Sequence, residues 1–279
     1  NVSYDTCLFD VNRRLNFYAI STDTLLNLVH SDEYLETYNP FFELKGSYLE
    51  FVHITDKMGN LVGEGEIPAE QVILAIGHSA RDTFEMLLEE HVFLEQKPFS
   101  VGVRVEHPQT LIDEGLYGKL AGHPALPKGE YQLSHRLNGR GVYTFCMCPG
   151  GYVVNASSEE GLLAINGMSY SKRDGKNANS AMIVTVTPED FGGDTEDVLA
   201  GVEFQRRLEA AAYRAGEGKI PVQLFGDLLN HNPSVTIGHI TPNTKGEYTL
   251  ASVEECLPSF VTEALTEGIA AFDRKIKGF

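Results

Sequence analysis

Three segments of the 279-residue chain carry residue types that could do chemistry. In the first, Gly77-His78-Ser79-Ala80-Arg81 follows an apolar run and opens a helical pattern. A serine at a strand–turn–helix bend resembles the nucleophile elbow G-x-S-x-G, whose sharp turn lifts the hydroxyl out for attack. Asp227, His231 and His239 follow in the order that would complete a Ser–Asp–His triad. The elbow needs a small residue where Arg81 stands, so two other readings compete. Ser79 can cap the helix, with Asp82 three residues on. The turn can also sit beside a cofactor, because a helix start offers free N–H groups and a positive dipole end to phosphate.

The second segment is Cys146-Met147-Cys148-Pro149-Gly150-Gly151. On a regular strand the i, i+2 spacing points both thiols the same way, roughly 6.6 Å apart along the chain. That is a poor geometry for a disulfide, so two small buried core residues compete with a redox pair. Pro149, Gly150 and Gly151 let the backbone turn tightly and approach a flat ligand without an intervening Cβ. The third segment, NGMSYSKRDGKNANSA over 166–181, reads as a polar loop between two strands. Asn166, Ser169, Arg173, Asn177 and Asn179 would suit a polar ligand there, or the loop is simply solvated. No metal site is expected, since nine histidines show no H-x-H, H-E-x-x-H or C-x-x-C spacing. No P-loop and no G-x-G-x-x-G is present to cradle a diphosphate.

The elements that must position these groups read as α+β, or mixed α/β. Residues 47–66 form a hairpin, SYLEFVHI returning through DKMGN as LVGEGE. QVILAIG over 71–77 is a strand covered on both faces, and a helix follows it to about His91. Ser21-Thr22-Asp23 could open a short helix in an otherwise weakly patterned start. FSVGVRVE puts Val101, Val103 and Val105 on one face. In VYTFCMC, alternation puts Val142, Thr144, Cys146 and Cys148 on one face and Tyr143, Phe145 and Met147 on the other. GYVVNA, LLAINGM and AMIVTVT are further strands. Residues 107–135, with Pro108, Pro124 and Pro127, read as a long surface loop holding His107, His123 and His135. In the last third Asp194 or Thr195 caps a helix to about Gly216. Ser252 with Glu255 makes a capping box. Val261, Leu265, Ile269, Phe272 and Ile276 form one apolar stripe.

Charge narrows the partners. Lys plus Arg is 22 against 39 Asp plus Glu, a balance of −17. Such a surface repels phosphate backbones and anionic lipid, so neither nucleic acid nor membrane is expected as a partner. No run approaches the roughly 20 apolar residues of a membrane span. Four cysteines do not make a disulfide framework, and a cytoplasmic setting follows as the default. The chain begins with Asn1 rather than Met and reads as a processed product or a piece of a longer protein.

Together, VILAIGHSARDTFEMLLEE (72–90), KPFSVGVRVEHPQTLID (97–113), RGVYTFCMCPGGYVVNASSEEG (140–161) and NGMSYSKRDGKNANSA resemble the bacterial FAD-dependent dehydrogenases, a largely uncharacterised NAD(P)/FAD-dependent oxidoreductase family. EFQRRLEAAAYRAG and FDRKIKGF agree more loosely. The glycine-rich FAD fingerprint of that family and its second glycine-rich segment have no counterpart here. The resemblance implies a central portion: residues 1–95 as the β-meander and return strand of an FAD domain, then 96–279 as a β-rich inserted substrate or cap domain with C-terminal helices. It implies that Gly77, His78 and Ser79 lie beside the FAD phosphates and ribose. It also implies that the 146–151 turn and the 166–181 loop face the flavin and a small-molecule substrate, with NAD(P)H a candidate electron source. The complete enzyme would pass hydride through FAD, the cofactor supplying the chemistry. This chain alone is expected to hold no FAD and to be inactive. Cys146 and Cys148 are its candidate redox residues. A serine hydrolase using Ser79 and a non-catalytic binding module are the alternatives.

Overall fold

The computed structural model describes residues 76–77, 79–192 and 197–279, together with the backbone of five strands within 6–65. The chain divides into two compact units, Asn1–Glu95 and Gln96–Phe279. In the first, β1 (Thr6–Leu8) pairs antiparallel with β2 (Tyr18–Ile20). Strands β3 (Tyr38–Lys45), β4 (Tyr48–Asp56) and β5 (Leu61–Gly65) form an antiparallel sheet in that order, and the hairpin expected over 47–66 is β4–β5. The helix expected from Ser21, residues 71–75 of the QVILAIG strand, and His78 lie outside the described residues. Helix α1 (Arg81–Glu89) starts one residue later than a Ser79 cap requires. Its N-cap is Ala80, whose carbonyl takes the N–H groups of Thr83 and Phe84. Asp82 accepts the Thr83 N–H at 2.9 Å, satisfying a first-turn donor from inside the helix.

The second unit is built on a four-stranded antiparallel sheet of order β6-β11-β8-β7. Its first strand, β6 (Phe99–Pro108), leads directly into α2 (Gln109–Tyr117) and a 3₁₀ turn, Gly118–Leu120. Strands β7 (Ser134–Leu137), β8 (Arg140–Cys148), β9 (Tyr152–Asn155), β10 (Ile165–Met168) and β11 (Asn177–Val186) follow. Next come α3 (Pro188–Phe191), α4 (Ala200–Ala215), β12 (Ile220–Val222) and α5 (Phe225–Leu229). Strands β13 (Thr244–Lys245) and β14 (Tyr248–Leu250), a 3₁₀ turn at Val253–Cys256 and helix α6 (Ser259–Asp273) complete it. Two smaller sheets, β10-β9-β13 and the parallel pair β12-β14, accompany the main one. The fold is α+β.

Helix α6 covers one face of the main sheet. Its stripe of Val261, Leu265, Ile269 and Phe272 is buried with Val142, Met182, Val184 and Val186, and Val101, Val103 and Val105 pack against the group. Burial of this kind contributes roughly 25 cal/mol per Å² of apolar surface. Gly268 lets helix and sheet approach closely, since a Cβ there would meet Val142 Cγ1 at 2.5 Å.

Several sequence expectations give way here. Residues 107–135 are not a plain surface loop. Pro108 supplies the N-cap of α2, and buried Gln109 donates to Asp113 at 2.8 Å and to the Gly129 carbonyl at 3.1 Å. That network folds the segment back on the sheet. His107 is buried, not on the surface, with its ring 4.5 Å from that of Phe279 and 6.0 Å from that of Tyr131. Ser252 and Glu255 cap no helix. They belong to a 3₁₀ turn without a side-chain cap, and Pro258 is the N-cap of α6. The cap candidates Asp194 and Thr195 lie outside the described residues, and α4 starts after Leu199.

Candidate functional site

The face of the main sheet turned away from α6 carries the polar half of β6. Alternation that sends Val101, Val103 and Val105 into the core sends Ser100, Arg104 and Glu106 the other way. In register, Arg104 faces Ala181 and Glu106 faces Asn179. Arg104 Nε donates to Asn179 Oδ1 at 2.7 Å, and its Nη2 donates to the Cys146 carbonyl at 2.6 Å. The same Nη2 lies 3.5 Å from Cys148 Sγ. Gly167 of β10 closes over this group, for a Cβ there would fall 2.2 Å from both Arg104 Nη2 and Asn179 Oδ1. Among the described residues no carboxylate pairs with Arg104, so its Nη1 hydrogens are left without a protein acceptor.

A cavity of about 580 Å³ runs along the outer edge of β6. Arg104 and Glu106 line it together with Ile165, Leu208, Ile220 and Leu257. Apolar walls around a few convergent polar groups are the usual make-up of a small-molecule site. Burial raises the Glu106 carboxyl above its ordinary range, although Asn177 Nδ2 at 3.2 Å and the Asn243 N–H at 3.0 Å donate to it and oppose the rise. Two buried polar atoms nearby in the fold have no hydrogen-bond partner: Asn179 Nδ2 and His107 Nε2. Burial pushes the Tyr131 hydroxyl upward and brings His107 down to about 4, so His107 is neutral.

The expected face assignment of the cysteines is overturned by a β-bulge. Phe145 pairs with Ala181 and Cys148 with Asn179, so Cys146 and Met147 together oppose Ser180 alone. Cys146 takes φ +46°. The extra residue turns Cys148 away from Val142 and Thr144 and places it beside Arg104, while Met147 packs with the cluster of Ile112, Tyr131 and Ile276. Cys148 is buried, and burial raises its thiol. Cys146 is exposed.

The turn that follows is closed by protein. Gly150 takes φ +51° and donates to Gln109 Oε1 at 2.7 Å. A Cβ on it would meet the Arg173 carbonyl at 2.1 Å, and one on Gly151 would meet the Met168 carbonyl at 2.7 Å. Ser169 Oγ donates to the Pro149 carbonyl at 2.7 Å. The absence of side chains at 150 and 151 thus serves close packing against the neighbouring loop. What this corner shows to solvent is Phe145, Met168 and Tyr170, at 62%, 57% and 59% exposure, with Cys146 among them.

The polar segment 166–181 is only partly a loop. Asn166 lies exposed on β10, and Asn177 and Asn179 are buried on β11. Ser169 and Arg173 are in the connection between them, Arg173 pairing with Glu130. Gly77, in the first unit, has φ +69° and open space where a Cβ would be. The Asp–His pairing that a triad needs is not formed: Asp227 accepts from Ser234 Oγ at 2.6 Å, and exposed His231 pairs with Glu254. Among the described residues no cluster of three His, Cys, Asp or Glu is placed to hold a metal, and no helix is long and apolar enough to cross a membrane. Arg104, Glu106, Gln109 and Asn243 are the residues that sequence reasoning missed. The alternation of FSVGVRVE already set Arg104 and Glu106 apart from the valines, but nothing local marks that polar face as covered.

Two comparisons with known proteins place the chain. Residues 98–279 match the family described as FAD-dependent protein, C-terminal domain-like, and the chain belongs to that family. An uncharacterized protein of Clostridium beijerinckii is 49% identical over 239 residues, which cover 84% of this chain and 44% of that protein. The chain therefore spans less than half the length of that relative.

Proposed function

We propose that this member of the FAD-dependent family is the substrate-facing part of a flavin oxidoreductase whose grip on the FAD diphosphate lies outside the sequence in hand. The observation that carries this reading is the Arg104 guanidinium, which lines an apolar cavity and forms no ion pair with a carboxylate among the described residues. Asn179 and the Cys146 carbonyl fix its plane, so its free Nη1 hydrogens can orient a carboxylate or phosphate on a small substrate. The cavity walls are mostly apolar, and Glu106, raised by burial, holds a proton more readily than a surface carboxyl.

FAD, when bound, supplies the hydride chemistry, with NADH or NADPH as the candidate electron source. Open backbone at Gly77 fits close approach of a ribose or phosphate, and His78 and Ser79 follow it in sequence. Asp82 in the first turn of α1 sets a negative charge where a diphosphate would need a positive end, which supports placing the main phosphate grip elsewhere. At the bulge, exposed Phe145, Cys146, Met168 and Tyr170 are the groups we assign to the flavin side. Pro149, Gly150 and Gly151 hold that rim in place, and Asn166, Ser169, Arg173, Asn177 and Asn179 shape its polar border.

The test is flavin content. The full-length Clostridium beijerinckii relative and this chain are purified in parallel with added FAD, desalted, and their bound flavin is quantified by absorbance. The reading expects about one FAD per relative and none on this chain. A relative that retains no FAD, or a chain that retains it stoichiometrically, refutes the assignment.

A further inference from the structure

The bulge gives the two thiols of β8 a geometry that a regular strand would deny them. Cys146 sits in the left-handed region at φ +46°, and Cys148 is turned so that its Sγ lies 3.3 Å from the Cys146 carbonyl oxygen. The distortion is held from both sides of the sheet. Ser180 Oγ donates to the Phe145 carbonyl at 3.2 Å, and Arg104 Nη2 donates to the Cys146 carbonyl at 2.6 Å. One thiol is exposed and the other buried, with a guanidinium nitrogen 3.5 Å from the buried sulfur. This is the division of an accessible attacking thiol and a sheltered resolving thiol.

We propose that Cys146 and Cys148 form a reversible thiol–disulfide pair that exchanges with low-molecular-weight disulfides. The Cys146 thiolate attacks one sulfur of the disulfide RSSR, the S–S bond breaks, and the first thiolate RS⁻ leaves. Cys148 then loses its proton and attacks Cys146 Sγ, the mixed disulfide breaks, and the second RS⁻ leaves. The protons of the two protein thiols pass through water to the two departing thiolates. The protein is oxidised by two electrons, and RSSR is reduced to two RSH. Arg104 stands where negative charge gathers on Cys148 during the second step. The Cys146 thiol also raises Cys148, and capping it as a mixed disulfide removes that influence at the moment Cys148 must ionise. A bridge across so short a ring is strained, and strained disulfides are the readily reduced ones. The exchange needs no flavin and stands apart from the assignment above.

The experiment is native treatment of this chain with glutathione disulfide, an acid quench and mass spectrometry of the tryptic peptide Gly141–Lys172, which holds both thiols. The expected peptide has lost two hydrogens, carries no glutathione and reverts with dithiothreitol. Cys148→Ser should instead retain glutathione on Cys146. A wild-type peptide that is unchanged, that keeps a stable glutathione, or that is bridged to Cys7 or Cys256 overturns the proposal. The wild-type readout alone decides it, whatever the folding of the variant.

Discussion

His107 is enclosed by Phe279 and Tyr131, and its Nε2 has no partner. Burial holds its folded value at about 4, below the ordinary 6.5. As pH falls the unfolded chain takes up this proton first, so stability is full above 6.5 and declines as pH drops toward the folded value. At about 1.4 kcal/mol per unit, roughly 2 kcal/mol should be lost between about pH 7 and pH 5. Urea unfolding of wild type and His107→Phe checks this: the variant keeps the ring contacts and should lose that part of the slope. Equal slopes in both would remove His107 from the acid response. The sequence placed this histidine in a Pro-rich loop because prolines dominate local reading. The burial comes from residues 24 and 172 positions away, Tyr131 and Phe279, which no window joins.

Periodicity was most legible in the elements. The α6 stripe and the valine face of β6 meet as their spacing requires, because burial on one face leaves a regular pattern in both. The bulge in β8 was not legible: one extra residue, fixed by Arg104 of β6 and Ser180 of β11, reverses the face of Cys148. Alternation presumes an even ladder, and nothing in VYTFCMC announces the break. Gly268 shows the same dependence on a partner element. A valine there would drive its side chain into Val142 and part of Met182, forcing α6 off the sheet. Gly268→Val should cost about 1–3 kcal/mol from overpacking, read as a lower denaturant midpoint. A midpoint at or above wild type would mean that the α6 contact is looser than the fold described.

At the scale of the whole molecule, the long motifs carried the family reading, and the match over 98–279 supports its coarser part, an FAD-dependent family. Local motif reading singled out TFCMCPGG and NGMSYS but not Arg104 beside them, because Arg104 becomes informative only when Asn179 of β11 and Gly167 of β10 are brought against it. The chain divides into two compact units and spans less than half of the longer relative. Photolabelling that relative with 8-azido-FAD tests the proposed flavin side most directly, since the label marks whatever lies against the isoalloxazine ring. The account predicts label in the stretch matching residues 140–172, around Phe145, the Cys146–Met147 bulge and Met168. Label confined to peptides outside the region matching 98–279 would contradict it.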